Sequence, residues 1–536
     1  METFDWIIIA SFLVLLTSIG FIFSRKNRNI EDYFAAGRSM PGWLIALAAT
    51  GTSISAGTFV GSPELGFNTN ITFIMSCIGA VIGGMFVAWL VLPKLYNAKT
   101  ITIYGYIGNR FGETAKRSTS IMFLLGQLFT SGSRLFIAAI AVSVICFGGI
   151  NFQFIVYSII ILGIISTIYT MAGGIKGLIY IDSLQILLVI GTGVAALAIL
   201  FCSMDLSIAE IIGRLRDGMV KLPQQDSYGI SPDGSFQGWA SGNKLMLVDP
   251  SFDFTRPYNL IGALFAYAIF KFAQFSTDHE FVQRQLACSS VKKAGRSLVA
   301  SQIMAIPIVA IFLSIGLLLY VRYVSDPALG AESGFFTDAR DVFPQYIKNC
   351  IPTGMRGLMI VGLLAAALSS FNSAINAMAS SFVTDIWLPV QKKRGNDISG
   401  NAEQMSSSRK MSALMGLMLT AFAILTAVMQ QSSGLNLVDF ATGVMCFSYA
   451  GMLGVFITAM YTKRGNTASV IAALAAGLLT VLLMQPYIMN PLTEALLGHR
   501  VVIAWPWWAP IGGTVSTIVC LMGRHTNSSK SIPRLR

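Results

Sequence analysis

Two stretches of this chain put oxygen ligands at useful spacings. Residues 362–373 read Gly-Leu-Leu-Ala-Ala-Ala-Leu-Ser-Ser-Phe-Asn-Ser, so Ala366, Ser369 and Ser373 fall three and four positions apart. On a helix they share one face, with Ser370 beside them. Small side chains leave the backbone oxygens there approachable. A hard monovalent cation takes about five or six oxygens, and hydroxyls with carbonyls supply them without the permanent charge that favours a divalent ion. The competing reading is serine-rich helix packing, each hydroxyl bonded back to the preceding turn. Residues 41–67, PGWLIALAATGTSISAGTFVGSPELGF, carry Thr50, Thr52, Ser53, Ser55 and Thr58 among the helix-weakening Gly51, Gly57, Gly61 and Pro63. A helix broken at membrane depth frees carbonyls that must find partners or line a cavity, and such breaks mark transport sites. Glycine content alone fits close helix packing equally well; hydroxyls in the same few residues favour a site.

Charged residues inside apolar runs come next. Asp182 follows GGIKGLIY, with Gln185 one turn further on. An ionisable group at that depth is costly and usually functional, and a nearby cation would keep it ionised. The alternative is a helix-start carboxylate exposed to the cytoplasm, facing the positive end of the dipole. Arg134, in SGSRLFIAAI, keeps its proton and presents a fork suited to carboxylate. It fits an anionic substrate group; a protein partner such as Asp182, or backbone carbonyls, accounts for it as well. Lys271 and Glu64 read as a pair with each other, or as side chains reaching the outer water layer.

The elements that must position these residues are membrane helices. Of 536 residues, 54% are hydrophobic and only 12% charged, with a mean hydropathy of +0.67. A soluble domain carries about a quarter charged residues, so this is not the composition of a soluble enzyme. We read about thirteen apolar spans, from about 6–24 to about 504–523, among them 154–172, 178–203, 257–277 and 411–430. Each is long enough to cross about 30 Å of hydrocarbon. With the N-terminus outside, 25 of the 37 Lys and Arg residues fall on inside segments, which orients the C-terminus to the cytoplasm. The net charge of +12 therefore has a membrane explanation and implies no nucleic acid. The polar connection 204–256 is expected outside as a small cap or entrance. The run from 278 to 296, with Arg284, reads as an inside loop, and 391–410 as a flexible cytoplasmic connection. Cys77, Cys146, Cys446 and Cys520 lie in apolar runs and are expected to pack as small hydrophobes, while Cys202 and Cys350 near the outer ends are candidates to pair. His279, His499 and His525 fall at span ends or in loops, and no catalytic constellation is visible.

At this point the chain resembles the sodium:solute symporter family, over residues from about 5 to 485. The resemblance rests on DYFAAGRSMPGW at 32–43, TSISAGTF in the broken span, GGIKGLIYIDSLQ at 173–185, TDHEFVQRQLACSSVKKAGRS at 277–297 and LLAAALSSFNSAINAMASSFVTDIW at 363–387, in the family's order. It implies an all-α polytopic membrane protein of leucine-transporter-like architecture, with two inverted five-helix repeats. The expected division is 1–40 as a peripheral first helix and cytoplasmic loop, 41–203 as the first repeat, 204–256 as the outer loop, 257–461 as the second repeat, and 462–536 as peripheral helices and tail. By resemblance, sodium is held by the carbonyls of Gly51, Ile54 and Ala366 with the hydroxyls of Ser369 and Ser370. Members similar to sialic acid transporters have a second sodium site, matched here by Asp182, Ser369 and Ser373, with Asn372 where a serine is expected. Those members also set an arginine against the substrate carboxylate. Arg134 matches it, as Ser53, Ser55 and Thr58 match further substrate contacts. Proline-type members carry an arginine nearby too, so Arg134 alone does not name a substrate.

The resemblance implies a sodium-driven symporter, not an enzyme, in the plasma membrane (the inner membrane if bacterial). It would work as a monomer, import a small polar solute bearing a carboxylate, such as a sialic acid, and need no cofactor beyond sodium as coupling ion. A sodium/sugar or polyol symporter uses the same ion site without needing Arg134. A passive channel is disfavoured by the central clustering of polar residues. A membrane sensor is disfavoured by the 13 residues after 523.

Overall fold

In hydrocarbon every backbone polar group must bond within the protein, which leaves the helix as the default for a chain this apolar. The computed structural model is nearly all helical. It describes residues 1–24, 33–34, 36, 39–98, 100–221, 229–230, 236–237, 239–325, 339–395, 401–431 and 436–524. Arg25, Lys26, Arg28, Arg38, Lys99, His525, Lys530, Arg534 and Arg536, part of the DYFAAGRSMPGW motif, parts of the outer loop and residues 396–400 of the expected cytoplasmic connection lie outside the described residues. Among the described residues, eight helices are long and apolar enough to cross a membrane, or up to 10 if each of two bent pairs is one span. The outward faces carry Trp89, Leu417 and Leu496, all exposed, as a surface solvated by lipid would. Polar side chains are turned inward.

The segments 154–172 and 178–203 are separated as expected, by a sharp break inside Phe152–Cys202 where Gly174 takes φ 62°, a conformation that a residue with a Cβ resists; the second apolar helix runs Gly174–Cys202. The elements differ from expectation in two places. The polar stretch 401–410 is the start of the helix Asn401–Gln431, not a flexible loop; its Glu, Gln, Met, Arg and Lys are good helix formers. The run after 277, read as an inside loop, holds a helix, His279–Leu286, whose residues are all buried. The outer connection is largely not helical. It carries the helix Ile208–Arg216 and two antiparallel strand pairs, Met219–Lys221 with Trp239–Ser241 and Gly229–Ile230 with Phe236–Gln237. Cys202 and Cys350 are free thiols rather than a pair, Cys77, Cys446 and Cys520 are buried, and Cys146 is exposed.

Contacts between connections sort by side. Asp5 Oδ1 accepts the N–H groups of Gly354 and Gly357 at 2.8 and 2.9 Å, and Ala504 N–H reaches Phe254 O at 2.8 Å; all of these were expected outside. Lys94 Nζ donates to Met460 O at 2.8 Å, Arg110 to Ala459 O and Thr462 O, and Lys116 pairs with Asp385 at 3.2 Å; these were expected inside or at inner span ends. Glu64 and Lys271 do not pair. Glu64 Oε2 accepts the Leu437 N–H at 2.9 Å, at the start of the helix Leu437–Tyr461, and Lys271 Nζ donates to Gln274 Oε1 at 2.8 Å.

The outer connection is fastened to the span 41–67 by one buried ammonium. Lys244 Nζ donates to Phe67 O and Thr69 O at 2.8 Å each and to Met219 O at 3.1 Å. It lies 4.1 Å from the centre of the Tyr320 ring, and the side chain is fully buried. Charged hydrogen bonds of this kind contribute roughly 1.5–3 kcal/mol each before desolvation. Lys244→Met should therefore release the strand pair at Met219–Lys221, lowering thermal stability in detergent by about 2–4 kcal/mol and speeding amide exchange at 219–221 and 239–241. Unchanged exchange there would refute the fastening.

Candidate functional site

The site begins where a helix stops. Gly42–Ser53 ends because Ile54 is extended, at φ −89° and ψ 109°. The chain resumes as a π turn, Gly57–Gly61, leading into Ser62–Asn68, and the two limbs lie at 59°. Such a break leaves last-turn carbonyls without helical N–H partners. The Ile54 N–H reaches back to Thr50 O at 2.8 Å, and Ser370 Oγ donates to Thr52 O at 3.5 Å. Gly51 lies where a Cβ would stand 3.0 Å from Asp182 O and 3.5 Å from Ser369 Oγ. Only a bare Cα lets the break, the kinked helix Phe152–Cys202 and the serine helix Met355–Ser381 meet this closely.

Around that meeting point each oxygen of Asp182 has a donor. Ser369 Oγ donates to its Oδ1 at 2.7 Å, and Arg284 Nη2 donates to its Oδ2 at 2.7 Å. The same nitrogen donates to Ser373 Oγ, whose own proton goes to Ser369 O at 2.6 Å. Arg284 Nη1 bonds Glu280 O at 2.8 Å. Asp182 and Arg284 are essentially inaccessible to solvent, so the reading of Asp182 as a carboxylate exposed at a helix start is corrected. Arg284 is likewise not a cytoplasmic loop residue. Each ion is expensive to bury, and the pair persists because each satisfies the other. Gly51, Asp182, Ser369, Ser370 and Ser373 are thus brought together. Ile54 is on the break itself, and Ala366 lies one turn before Ser370. Asn372 points elsewhere, its Oδ1 accepting from Thr170 Oγ1 at 2.9 Å.

Of the candidate substrate residues, Ser53 ends the helix before the break, Ser55 lies in it and Thr58 follows it. Ser53 Oγ accepts from Gln302 Nε2 at 3.3 Å, Ser55 Oγ accepts the Gly57 N–H at 3.2 Å, and Thr58 is half-buried. A Cβ on Gly57 would stand 3.8 Å from Ile137 Cδ1, one turn after Arg134 on the helix Glu113–Val142. Arg134 faces a carboxylate of the protein, but not Asp182: its Nη1 is 3.6 Å from Glu280 Oε2, both side chains buried.

Glu280 belongs to a second break. Tyr267–Thr277 ends at Asp278, extended at φ −88° and ψ 116°, which caps the next helix through the Glu280 N–H. Asp278 also accepts from Gln127 Nε2 at 2.8 and 3.0 Å and from Tyr449 Oη at 2.5 Å, and Gln127 Nε2 reaches Glu280 Oε2 at 3.2 Å. His279 is buried against Ser380 at 3.3 Å. Sequence reasoning missed Gln127, Asp278, Glu280 and Arg284. The signal was there, an aspartate cap followed by an acid and an arginine four apart, but it sits where hydropathy falls and reads as a loop.

Comparison with known proteins agrees with this architecture. The sequence model of the sodium:solute symporter family matches residues 33–477. The sodium/sialic acid symporter SiaT of Proteus mirabilis is 25% identical over 478 residues, 89% of this chain and 88% of its own. Sodium/glucose cotransporter 4 of Mus musculus is 26% identical over 516 residues, 90% of this chain and 69% of its own. Among solved structures, the substrate-bound outward-open state of a Na+-coupled sialic acid symporter superposes with a TM-score of 0.77 at 22% identity, covering 97% of both chains.

The Asp182–Arg284 pair yields a double-mutant test. Arg284→Ala alone should destabilise the protein in detergent by about 3–5 kcal/mol, because it strands a buried carboxylate, and adding Asp182→Asn should recover most of that loss. Additive losses in the double variant would contradict the pairing.

Proposed function

Because the chain belongs to the sodium:solute symporter family, a family of membrane transporters, we propose that this multi-pass membrane protein is a sodium-driven symporter importing a small carboxylate-bearing solute, a sialic acid or a chemically similar acid, across the plasma membrane. The observation that carries this reading is the junction of the break at Ser53–Gly57 with the serine helix, where freed carbonyls and hydroxyls converge. The sodium site we assign there uses the carbonyls of Gly51, Ile54 and Ala366 and the hydroxyls of Ser369 and Ser370, with Ser53, Ser55, Thr58 and Arg134 facing the solute. The two broken helices, one opening residues 41–203 and the other 257–461, support an inverted pair of repeats. The sorting of connections by side supports connections that alternate between two faces, and the Lys and Arg distribution supports about thirteen spans with the N-terminus outside. Sodium binding would order the first break against the serine helix and so complete the solute site, each ligand raising the other's affinity.

Arg284 bears on stoichiometry. It already supplies the positive charge facing Asp182, so a second sodium at Asp182, Ser369, Asn372 and Ser373 would require the arginine to withdraw. One sodium is the reading this pair supports. Moving one sodium with one carboxylate carries no net charge, and the membrane potential, worth about 2.3 kcal/mol per charge per 100 mV, then contributes nothing.

Purified protein in sealed liposomes should accumulate radiolabelled N-acetylneuraminic acid under an inward sodium gradient and not when potassium or choline replaces sodium; equal accumulation in the three salts would exclude the function. Ser369→Ala should raise the half-saturating sodium concentration by about tenfold, and an unchanged sodium activation curve would remove Ser369 from the site. A valinomycin-imposed, inside-negative potential should leave the uptake rate unchanged if one sodium moves; acceleration would point to two.

A further inference from the structure

Two buried atoms, one on the helix Glu113–Val142 and one at the second break, have no hydrogen-bond partner among the described residues. Arg134 Nη1 and Glu280 Oε1 make no hydrogen bond. Their side chains nevertheless face each other, with Nη1 3.6 Å from Glu280 Oε2. That separation lets the two charges offset each other but is too long for a hydrogen bond. Buried polar atoms without partners are costly, on the order of 1–3 kcal/mol each and more when charged. An unpartnered donor on Arg134 calls for an acceptor, and an unpartnered acceptor on Glu280 calls for a donor.

Glu280 is held where it is. Its Oε2 takes Gln127 Nε2 at 3.2 Å, and Gln127 is fixed in turn by Asp278 at 2.8 Å and by Ser131 Oγ, which donates to its Oε1 at 3.1 Å. The two free atoms belong to one ion pair, so a single small head group bearing both an acceptor and a donor on neighbouring atoms satisfies both. Resting on the carboxylate reading of Arg134 above, we infer that Glu280 reads a hydrogen-bond donor adjacent to the substrate's carboxylate. The preferred solutes are then acids with a hydroxyl or ammonium on the carboxylate-bearing carbon. An acid without that donor leaves Oε1 buried and unsatisfied, the circumstance in which polar sites discriminate most strongly.

The test is sodium-driven uptake by the full chain in liposomes, comparing N-acetylneuraminic acid, which has a hydroxyl on that carbon, with its 2-deoxy analogue. The wild type should prefer the hydroxyl compound in kcat/KM by about tenfold or more; equal use of both overturns the inference. Glu280→Leu, which removes the acceptor, should bring the two compounds within about twofold, and a retained preference overturns it. Glu280→Gln keeps a neutral acceptor and should show a preference several-fold smaller than the wild type; this variant decides the matter if the leucine variant does not reach the membrane, an undiminished preference again being fatal. Arg134→Ala separates the two layers. If it transports both acids like the wild type, the carboxylate reading of Arg134 fails and the donor role falls with it; if it loses both while Glu280→Leu keeps the preference, only the role of Glu280 falls.

Discussion

Backbone polar groups cannot be left unsatisfied inside a membrane, and this fold depends on how it meets that constraint at two places where it breaks its own helices. At Ile54 and at Asp278 the chain turns extended, giving up main-chain bonds at depth. The polar groups gathered there answer those losses. Ile54 N–H returns to Thr50 O, Ser370 reaches Thr52 O, and the Asp278 carboxylate takes the Glu280 N–H that its new helix exposes. What the protein does not supply itself is an offer to a ligand. On the proposed function, a cation coordinated by the remaining carbonyls of the first break would complete a bonding pattern the chain has left open, so that ion binding and local order would be the same event there.

The serine helix connects that event to the rest. Ser369 faces Gly51 and bonds Asp182, Ser370 faces Thr52, and Ser373 joins Arg284. Arg284 and Glu280 are on the same short helix, one turn apart, the first bonded to Asp182 and the second beside Arg134. Asp182 and Arg284 thus connect the first break and the serine helix to the helix that carries Glu280. Hydrogen bonds link Ser369, Asp182 and Arg284 to the Glu280 main chain, and the last step, from Glu280 to Arg134, is an ion pair at 3.6 Å.

Much of this was readable from the residues. The glycine and hydroxyl pattern of 41–67 announced a broken helix, and the break falls at Ile54–Ala56 among those residues. The spacing of Ala366, Ser369 and Ser373 announced a polar face, and the structure turns Ser369 and Ser373 toward Asp182. The second break was not legible because a hydropathy window sees only average polarity: the polar run TDHEF at 277–281, buried by neighbouring helices, looks the same as polarity bathed in water. Arg284 was lost in this way, although its placement four residues after Glu280 is helical. The boundary between the spans 154–172 and 178–203 was legible in GGIKG, whose three glycines include Gly174, the residue that takes φ 62°. Asn372 was assigned by alignment of motifs alone, and side-chain direction, set by its bond to Thr170, is not contained in a motif.

The charges around the two breaks carry the argument one step further. Three acids, Asp182, Asp278 and Glu280, lie there with three bases, Arg134, Lys271 and Arg284, all of them buried or half-buried. The formal charge of this group is zero. In a low-dielectric interior an added unit charge is heavily penalised, so sodium alone or a carboxylate alone leaves the core one charge out of balance. The two together restore neutrality. On the proposed function, coupling between ion and solute would then have an electrostatic source in addition to any ordering of the break: each ligand would lower the cost of burying the other, and by linkage the effect would be mutual. On this account Arg284 is part of the coupling machinery without touching either ligand, since replacing a fixed base by a neutral residue shifts the balance by one charge and makes a second cation the natural compensation.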